Sequence, residues 1–217
     1  MRVIAGSAKG RRLKSPDTLE TRPILDRVKT ALFDILAPDI TDARFLDLFA
    51  GTGQIGIEAL SRGAASATFV ELSPEIVKLV RENLALTRLE ADAEVIRADA
   101  FAFLRNAHAQ RRQYDIVYVA PPQYKQMAAQ ALERLDRAPL TASGGMVIVQ
   151  IHPRERPDIA PLALTRLRLY DERTYGSTLL MFFEHADEQA GEGAKTAETE
   201  ETEETQETQE TRDEPAQ

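Results

Sequence analysis

The 217-residue chain is long enough for one folded domain, and a hydrophobic fraction of 43% can supply its core. The absence of cysteine excludes disulfides and cysteine-based metal sites, and the three scattered histidines lack ligand spacing, so we predict no metal. No apolar run approaches the ~20 residues of a membrane span, and no long apolar stretch of a signal peptide follows Met1. We therefore expect a cytoplasmic protein with no membrane partner.

The net charge of −8 is distributed unevenly. Residues 186–217 hold twelve acidic and two basic side chains in a Glu-Thr-rich run, which predicts a disordered acidic tail and leaves a net +2 for the preceding chain. Residues 1–30 hold eight basic and three acidic side chains. Such a basic cluster indicates a polyanionic partner only where it adjoins an active site.

Along the chain, a basic segment with Gly6 and Gly10 predicts a short hairpin, and helical apolar spacing predicts a helix over 24–36. Strands then alternate with helices, which indicates an α/β fold with an open, mostly parallel sheet. The last two strands have no helix pattern between them, so we expect them to pair antiparallel. The predicted strands are 45–49, 67–71, 93–97, 114–119, 146–151, 164–170 and 178–183, and the helices between them are 55–62, 74–89, 101–109 and 125–135.

The turn after the first of these strands reads Asp-Leu-Phe-Ala-Gly-Thr-Gly-Gln-Ile-Gly from Asp47. Gly51, Gly53 and Gly56 satisfy the dinucleotide pattern G-x-G-x-x-G, so a nicotinamide-dependent oxidoreductase is one alternative. Asp47 favours a different ligand, because its carboxylate would repel a pyrophosphate and attract an ammonium or a sulfonium. We therefore favour S-adenosylmethionine as the cofactor.

Further carboxylates follow the next strands, at the sheet edge where such folds bind ligands. Glu71 comes 20 residues after Gly51, which is the spacing of a carboxylate that accepts bonds from ribose hydroxyls. Asp99 could accept a bond from an adenine amine, could cap the following helix, or could do both. The fourth strand ends in Ala120, followed by a Pro-Pro pair.

Residues 1–184 contain the stretches Arg-Val-Ile-Ala-Gly from Arg2, Lys-Gly-Arg from Lys9, Thr-Arg-Pro from Thr21, the glycine turn, Glu-Ala-Leu-Ser-Arg-Gly from Glu58, Val70-Glu71, Asp99-Ala100 and Tyr175-Gly176. Together these stretches resemble the bacterial small-subunit ribosomal RNA guanine-N2 methyltransferases of the RsmD type. The resemblance implies a Rossmann-like class I methyltransferase sheet of seven strands, the last antiparallel, with a short N-terminal hairpin and helix. It also implies S-adenosylmethionine as donor and a guanine exocyclic amine as acceptor. The domains would be 1–40, contacting RNA; 41–185, the methyltransferase domain; and 186–217, the tail.

The predicted site residues fall into three sets. The cofactor-binding set is Asp47, Phe49, Ala50, Gly51, Gly53, Glu71, Asp99 and Ala100; the catalytic set is Ala120, Pro121, Pro122, Gln123 and Tyr124; the RNA-binding set is Lys9, Arg11, Arg12, Arg22 and Arg27. The RNA-binding residues would hold phosphates of small-subunit ribosomal RNA or of an assembling ribosomal particle. We expect a monomer.

The catalytic set departs from the family pattern, which is Asp or Asn, Pro-Pro, then Tyr or Phe. In the family the first side chain and a proline carbonyl accept the amine N–H bonds, and the aromatic ring stacks on the base. Ala120 offers no side-chain acceptor, so Gln123 would have to accept in its place and Tyr124 would have to stack. Three interpretations follow: an active enzyme with a rebuilt site, a slow enzyme, or a silent donor- and RNA-binding ribosome-assembly factor. We favour activity, because the cofactor carboxylates and both prolines are present.

Overall fold

The computed structural model describes residues 1–16 and 24–185, which contain seven strands and six α-helices. The predicted acidic tail and Arg22 lie outside these residues. The strands are β1 (Arg44–Asp47), β2 (Ser66–Glu71), β3 (Ala93–Arg97), β4 (Tyr114–Val119), β5 (Thr141–Ile151), β6 (Leu167–Tyr175) and β7 (Thr178–His185). The helices are α1 (Asp26–Ile35), α2 (Gln54–Ser61), α3 (Pro74–Thr87), α4 (Ala100–Ala109), α5 (Met127–Arg137) and α6 (Arg156–Ile159).

The strands form one sheet in the order β3-β2-β1-β4-β5-β7-β6. Neighbouring strands from β3 to β5 pair parallel, whereas β7 runs antiparallel to both β5 and β6. This arrangement confirms the predicted class I sheet with its last strand antiparallel. The strand order reverses direction between β1 and β4, and the carboxyl ends of these strands therefore flank the crevice where open α/β sheets bind ligands.

Apolar residues on the two faces of the sheet form two core clusters. On β4, Ile116 and Tyr118 belong to the cluster that includes α1, α2 and α3, while Val117 and Val119 belong to the cluster that includes α4 and α5. This alternation follows from the two-residue period of a strand. Because β4 is covered on both faces, only its carboxyl end is open to a ligand.

Several element boundaries differ from the sequence prediction. Strand β6 begins at Leu167 rather than 164. The buried carboxylate of Asp136 accepts the N–H groups of Thr165, Arg166 and Leu167 at 2.7–3.0 Å, and these bonds hold the two residues before Leu167 outside the sheet. Helix α5 begins two residues later than predicted, after Gln126 in the left-handed region. Strand β5 begins earlier, at Thr141, ahead of its Gly-Gly pair.

The N-terminal segment forms the predicted hairpin, closed by an antiparallel bridge between Arg2 and Arg12. The segment packs on α2 through Glu58, a fully buried residue whose carboxylate accepts the N–H groups of Ile4 and Ala5 at 2.8 and 2.9 Å. The ammonium of Lys29, also fully buried, lies 3.1 Å from the same carboxylate. Strong charge-assisted bonds therefore fix the hairpin on the helix that follows the glycine turn.

Two further buried side chains hold the hairpin. The hydroxyl of Ser61 accepts the N–H of Ala8 at 2.9 Å and donates to the carbonyl of Ala5 at 2.6 Å. The side chain of Asn83, on α3, accepts the N–H of Lys14 at 2.7 Å and donates to the carbonyl of Thr52 in the glycine turn at 3.0 Å. The stretch that begins at Glu58 therefore supplies part of the surface on which the hairpin docks.

Candidate active site

A cleft of about 1060 Å³ opens at the carboxyl ends of β1, β2 and β4. It brings together most of the residues predicted to bind the cofactor and most of the predicted catalytic residues. Gly53 and Tyr124 do not line it. The predicted residues that do are Asp47, Phe49, Ala50, Gly51, Glu71, Asp99, Ala100, Ala120, Pro121, Pro122 and Gln123.

Asp47 ends β1 at the floor of the cleft and is 1% exposed. Its carboxylate accepts the N–H of Gly56 at 3.2 Å and makes no salt bridge with any residue of 1–16 or 24–185. Burial raises the pKa of Asp47 to about 7; the Gly56 bond opposes this shift and the charge of Glu71 adds to it. A cationic ligand bound next to this buried carboxyl would stabilise its charged form and lower its pKa. The site therefore favours a ligand that carries a positive charge.

Glu71 ends β2 and is partly buried. One carboxylate oxygen accepts the N–H of Gly51 at 3.0 Å, and the other accepts the N–H groups of Leu72 and Ser73 at 2.8 and 2.9 Å. The side chain therefore holds the glycine turn against the end of β2. Its predicted contact with ribose hydroxyls stays a prediction.

Asp99 stands at the start of α4, where its carboxylate accepts the N–H of Ala102 at 2.9 Å. This bond caps the helix, which is one of the two roles that the sequence left open. Beside it, the rings of Phe49 and Phe101 meet edge to face with centroids 6.3 Å apart. An apolar wall next to an exposed acceptor suits a flat heterocycle that carries an amine.

The turn after β4 holds the predicted catalytic residues. Pro121 is buried and Gln123 is exposed. Tyr124 lies in the left-handed region at φ 60°, and its N–H donates to the buried carboxylate of Glu155 at 2.8 Å. Tyr124 is 61% exposed, and its ring packs against His152 with centroids 5.7 Å apart. In this structure the ring therefore lies beside the cleft rather than in it, and its predicted stacking on the base would need the turn to move.

Sequence reasoning missed several residues of the cleft wall. Tyr118 and Gln150 lie on the inner strands β4 and β5, and Met1, Ile24 and Thr178 come from the N-terminal segment and from β7. The signal for Gln150 was present in the sequence: it is the polar member of an otherwise apolar strand, next to the strand's carboxyl end. The contributions of Met1 and Thr178 depend on tertiary packing and carry no local signal.

Among the described residues, the predicted RNA-binding side chains lie on the hairpin and on α1. Lys9, Arg12 and Arg27 are exposed, whereas the guanidinium of Arg11 donates to the carbonyl of Leu86 at 2.6 Å. A second cavity of about 520 Å³ is lined by Arg12 and other hairpin residues, and Met1 lines both cavities. The basic hairpin thus adjoins the cleft, which is the condition under which a basic cluster indicates a polyanionic partner.

Within residues 1–16 and 24–185, no cluster of histidine and carboxylate side chains could hold a metal ion. In the same part of the chain, no helix is long and apolar enough to cross a membrane.

The sheet order, the glycine turn and the carboxylates at the cleft define a Rossmann-like class I methyltransferase, a class that takes its methyl group from S-adenosylmethionine. The chain belongs to the family described as Conserved hypothetical protein 95, which matches residues 1–184, and this confirms the RsmD-type resemblance. The nicotinamide alternative is thereby wrong.

Named relatives and solved structures agree with this family. The chain is 38% identical to ribosomal RNA small subunit methyltransferase D of Escherichia coli, over 69% of this chain and 74% of that protein. It is 34% identical to the protein of the same name from Haemophilus influenzae, over 81% and 89%. The solved structure of the yhhF protein of Escherichia coli superposes with a TM-score of 0.73 at 33% identity, over 85% of this chain and 97% of that one.

Proposed function

We propose that this chain transfers a methyl group from S-adenosylmethionine to the N2 amine of a guanine in small-subunit ribosomal RNA. The observation that carries the proposal is the arrangement of the cleft. The carboxylates predicted to bind the cofactor lie on one side of it, the Pro-Pro turn lies on the other, and the basic hairpin lies at its edge. The names of the relatives support the same substrate.

The residues of the cleft fit the donor chemically. Asp47, buried without a cationic partner among the described residues, suits an ammonium or sulfonium group. Glu71 suits ribose hydroxyls, and the wall formed by Asp99 and Phe49 suits adenine. The donor supplies the methyl group: the amine nitrogen bonds to the methyl carbon, the carbon–sulfur bond breaks with its electron pair on sulfur, and the amine proton passes to solvent.

The residues of this chain then have to orient the acceptor amine. The lone pair of an aromatic amine is delocalised into the ring, so acceptors on its N–H bonds make the nitrogen a better nucleophile and aim it at the methyl group. The carbonyls of Ala120 and Pro121 are available at the end of β4.

Methyl transfer to small-subunit particles tests the proposal. Full-length protein is incubated with labelled S-adenosylmethionine and with particles from cells that lack the corresponding methyltransferase; large-subunit particles serve as the control. We expect label in the small-subunit RNA only, and digestion followed by mass spectrometry should find N2-methylguanosine. Label on another base or another nitrogen would contradict the proposal.

The second candidate is a silent ribosome-assembly factor, which Ala120 favours because it carries no side-chain acceptor. The same incubation separates the two functions. Donor binding in calorimetry, together with particle binding but no label above background, would favour the silent factor.

A further inference from the structure

Gln150 lies beside Ala120 on the neighbouring strand of the sheet. Strands β4 and β5 are parallel, and Tyr118 pairs with Ile148 while Val119 pairs with Val149. The next position of this register places Gln150 opposite Ala120, on strands about 4.8 Å apart. Both side chains emerge on the same face of the sheet, and both residues line the cleft.

The amide of Gln150 is held in place by a buried neighbour. The hydroxyl of Tyr118, which is 2% exposed, donates to Oε1 of Gln150 at 2.5 Å. Tyr118 in turn lies in register with Asp47 on β1. Gln150 makes no other side-chain hydrogen bond within the described residues, so the second lone pair of Oε1 and both N–H groups of Nε2 remain free for a ligand.

We propose that Gln150, oriented by Tyr118, is the catalytic residue that accepts a hydrogen bond from the target amine in place of the acceptor that Ala120 lacks. The inference rests on the proposed function and names a residue of the same cleft. An amide oxygen cannot take up the proton of the reaction, so its role is to direct the amine lone pair, and the proton leaves to solvent.

Gln123, the substitute acceptor favoured by sequence, is less suitable. It is exposed and lies on the turn next to Tyr124, and it makes no side-chain hydrogen bond within the described residues. Holding such a side chain in one geometry costs rotamer entropy at every turnover. Gln150 belongs to an inner strand and its amide is already oriented, so its contribution requires little further ordering.

Single-turnover methyl transfer to small-subunit particles tests the role of Gln150. The variants are Gln150→Leu, which removes the acceptor, Ala120→Asp, which restores the family's acceptor, and the two combined. Gln130→Leu, on the exposed face of α5, is the control. We expect Gln150→Leu to slow transfer by about 10- to 100-fold with unchanged donor affinity. Ala120→Asp should recover most of that loss in the double variant, but gain less than about threefold alone.

The outcomes separate this inference from the proposed function. Transfer by the unmodified chain with full activity in Gln150→Leu would overturn the role of Gln150 and leave the function intact. A gain above about tenfold from Ala120→Asp alone would also overturn it, and this result does not depend on the folding of Gln150→Leu. An unmodified chain with no transfer to any particle would overturn both.

Discussion

Glu58 and Lys29 form an ion pair 3.1 Å long in which neither side chain is exposed. Arg62 adds a second cation, with its Nε 2.9 Å from the same carboxylate. The pair joins α1 to α2, and the remaining bonds of Glu58 reach the backbone of the hairpin. One buried carboxylate therefore connects three segments that are distant in sequence.

Glu58→Gln should strongly destabilise the protein. It leaves the Lys29 ammonium buried without a full counter-charge, which costs about 3–5 kcal/mol. Glu172→Gln is the matched control: its partner is Arg156, both side chains are partly exposed at 43% and 38%, and its loss should cost less than about 1 kcal/mol. Urea unfolding of both variants measures the difference, and equal midpoints would contradict the prediction.

Gly6→Ala should destabilise the hairpin far more than Gly10→Ala. Both glycines are in the left-handed region, at φ 80° and 81°, so both changes carry the backbone cost of about 1 kcal/mol. Only at Gly6 would the new Cβ collide with the backbone, 1.6 Å from the carbonyl oxygen of Ser61, whereas nothing lies within 4 Å at Gly10. Thermal unfolding should show the larger shift for Gly6→Ala, and similar shifts would refute the docked geometry.

Asp47→Asn should stabilise the ligand-free protein at pH 8 and weaken donor binding. The pKa of Asp47 is raised to about 7 in the folded state, against about 3.9 when unfolded. Between these values the folded state holds a proton that the unfolded state has lost, so stability falls as pH rises through this window, by at most about 4 kcal/mol. Asparagine cannot ionise, so the variant should exceed the unmodified protein in melting temperature at pH 8 and approach it near pH 4.

Donor calorimetry completes the Asp47 experiment. Affinity of the unmodified protein should rise with pH through about 7 as the carboxylate ionises, and the variant should lack this dependence. Asp99→Asn is the stability control, because Asp99 is exposed and asparagine also caps a helix. The same rise of affinity with pH in Asp47→Asn would assign the titration to another group.

Glu155→Gln should loosen the Pro-Pro turn. The two oxygens of Glu155 accept the N–H groups of Tyr124 and His152 at 2.8 and 3.0 Å, and an amide would turn an NH₂ group toward one of these donors. An unsatisfied buried donor costs about 1–3 kcal/mol, and methyl transfer should fall while donor affinity is kept. Tyr124→Ala keeps the backbone bond and removes the ring, so it measures the stacking role alone. Unchanged transfer in Glu155→Gln would show that the turn does not need this anchor.

Lys9→Glu combined with Arg12→Glu should weaken RNA binding and spare donor binding. Both side chains are exposed on the hairpin. The slope of log affinity against log salt concentration should become less steep by about one for each phosphate that the variant no longer binds. Arg105→Glu with Arg137→Glu makes the same change of charge on α4 and α5, which pack on the opposite face of the sheet. Equal losses of affinity in both double variants would indicate a general effect of net charge.

The sequence predicted the sheet because apolar runs and helix signals such as Ser73-Pro74 are local. It predicted most of the cleft because carboxyl ends of parallel strands share one edge. It missed Gln150: the polar side chain on an apolar strand was visible in the sequence, but its position beside Ala120 depends on strand register. It also missed the later start of β6. The hydrogen bonds to Asp136 join residues about 30 positions apart, and such long-range bonds produce no periodic pattern in the sequence.

The contacts of Glu58, Ser61 and Asn83 also determine which segments of the chain can be exchanged between related proteins. The hairpin is continuous in sequence, but the side chains of Glu58, Ser61 and Asn83 that hold it are encoded some 50 to 70 positions downstream. A chimera that receives only a foreign hairpin would inherit mismatched partners. A functional exchange between relatives therefore has to replace three segments at once: the hairpin, α2 and the buried face of α3.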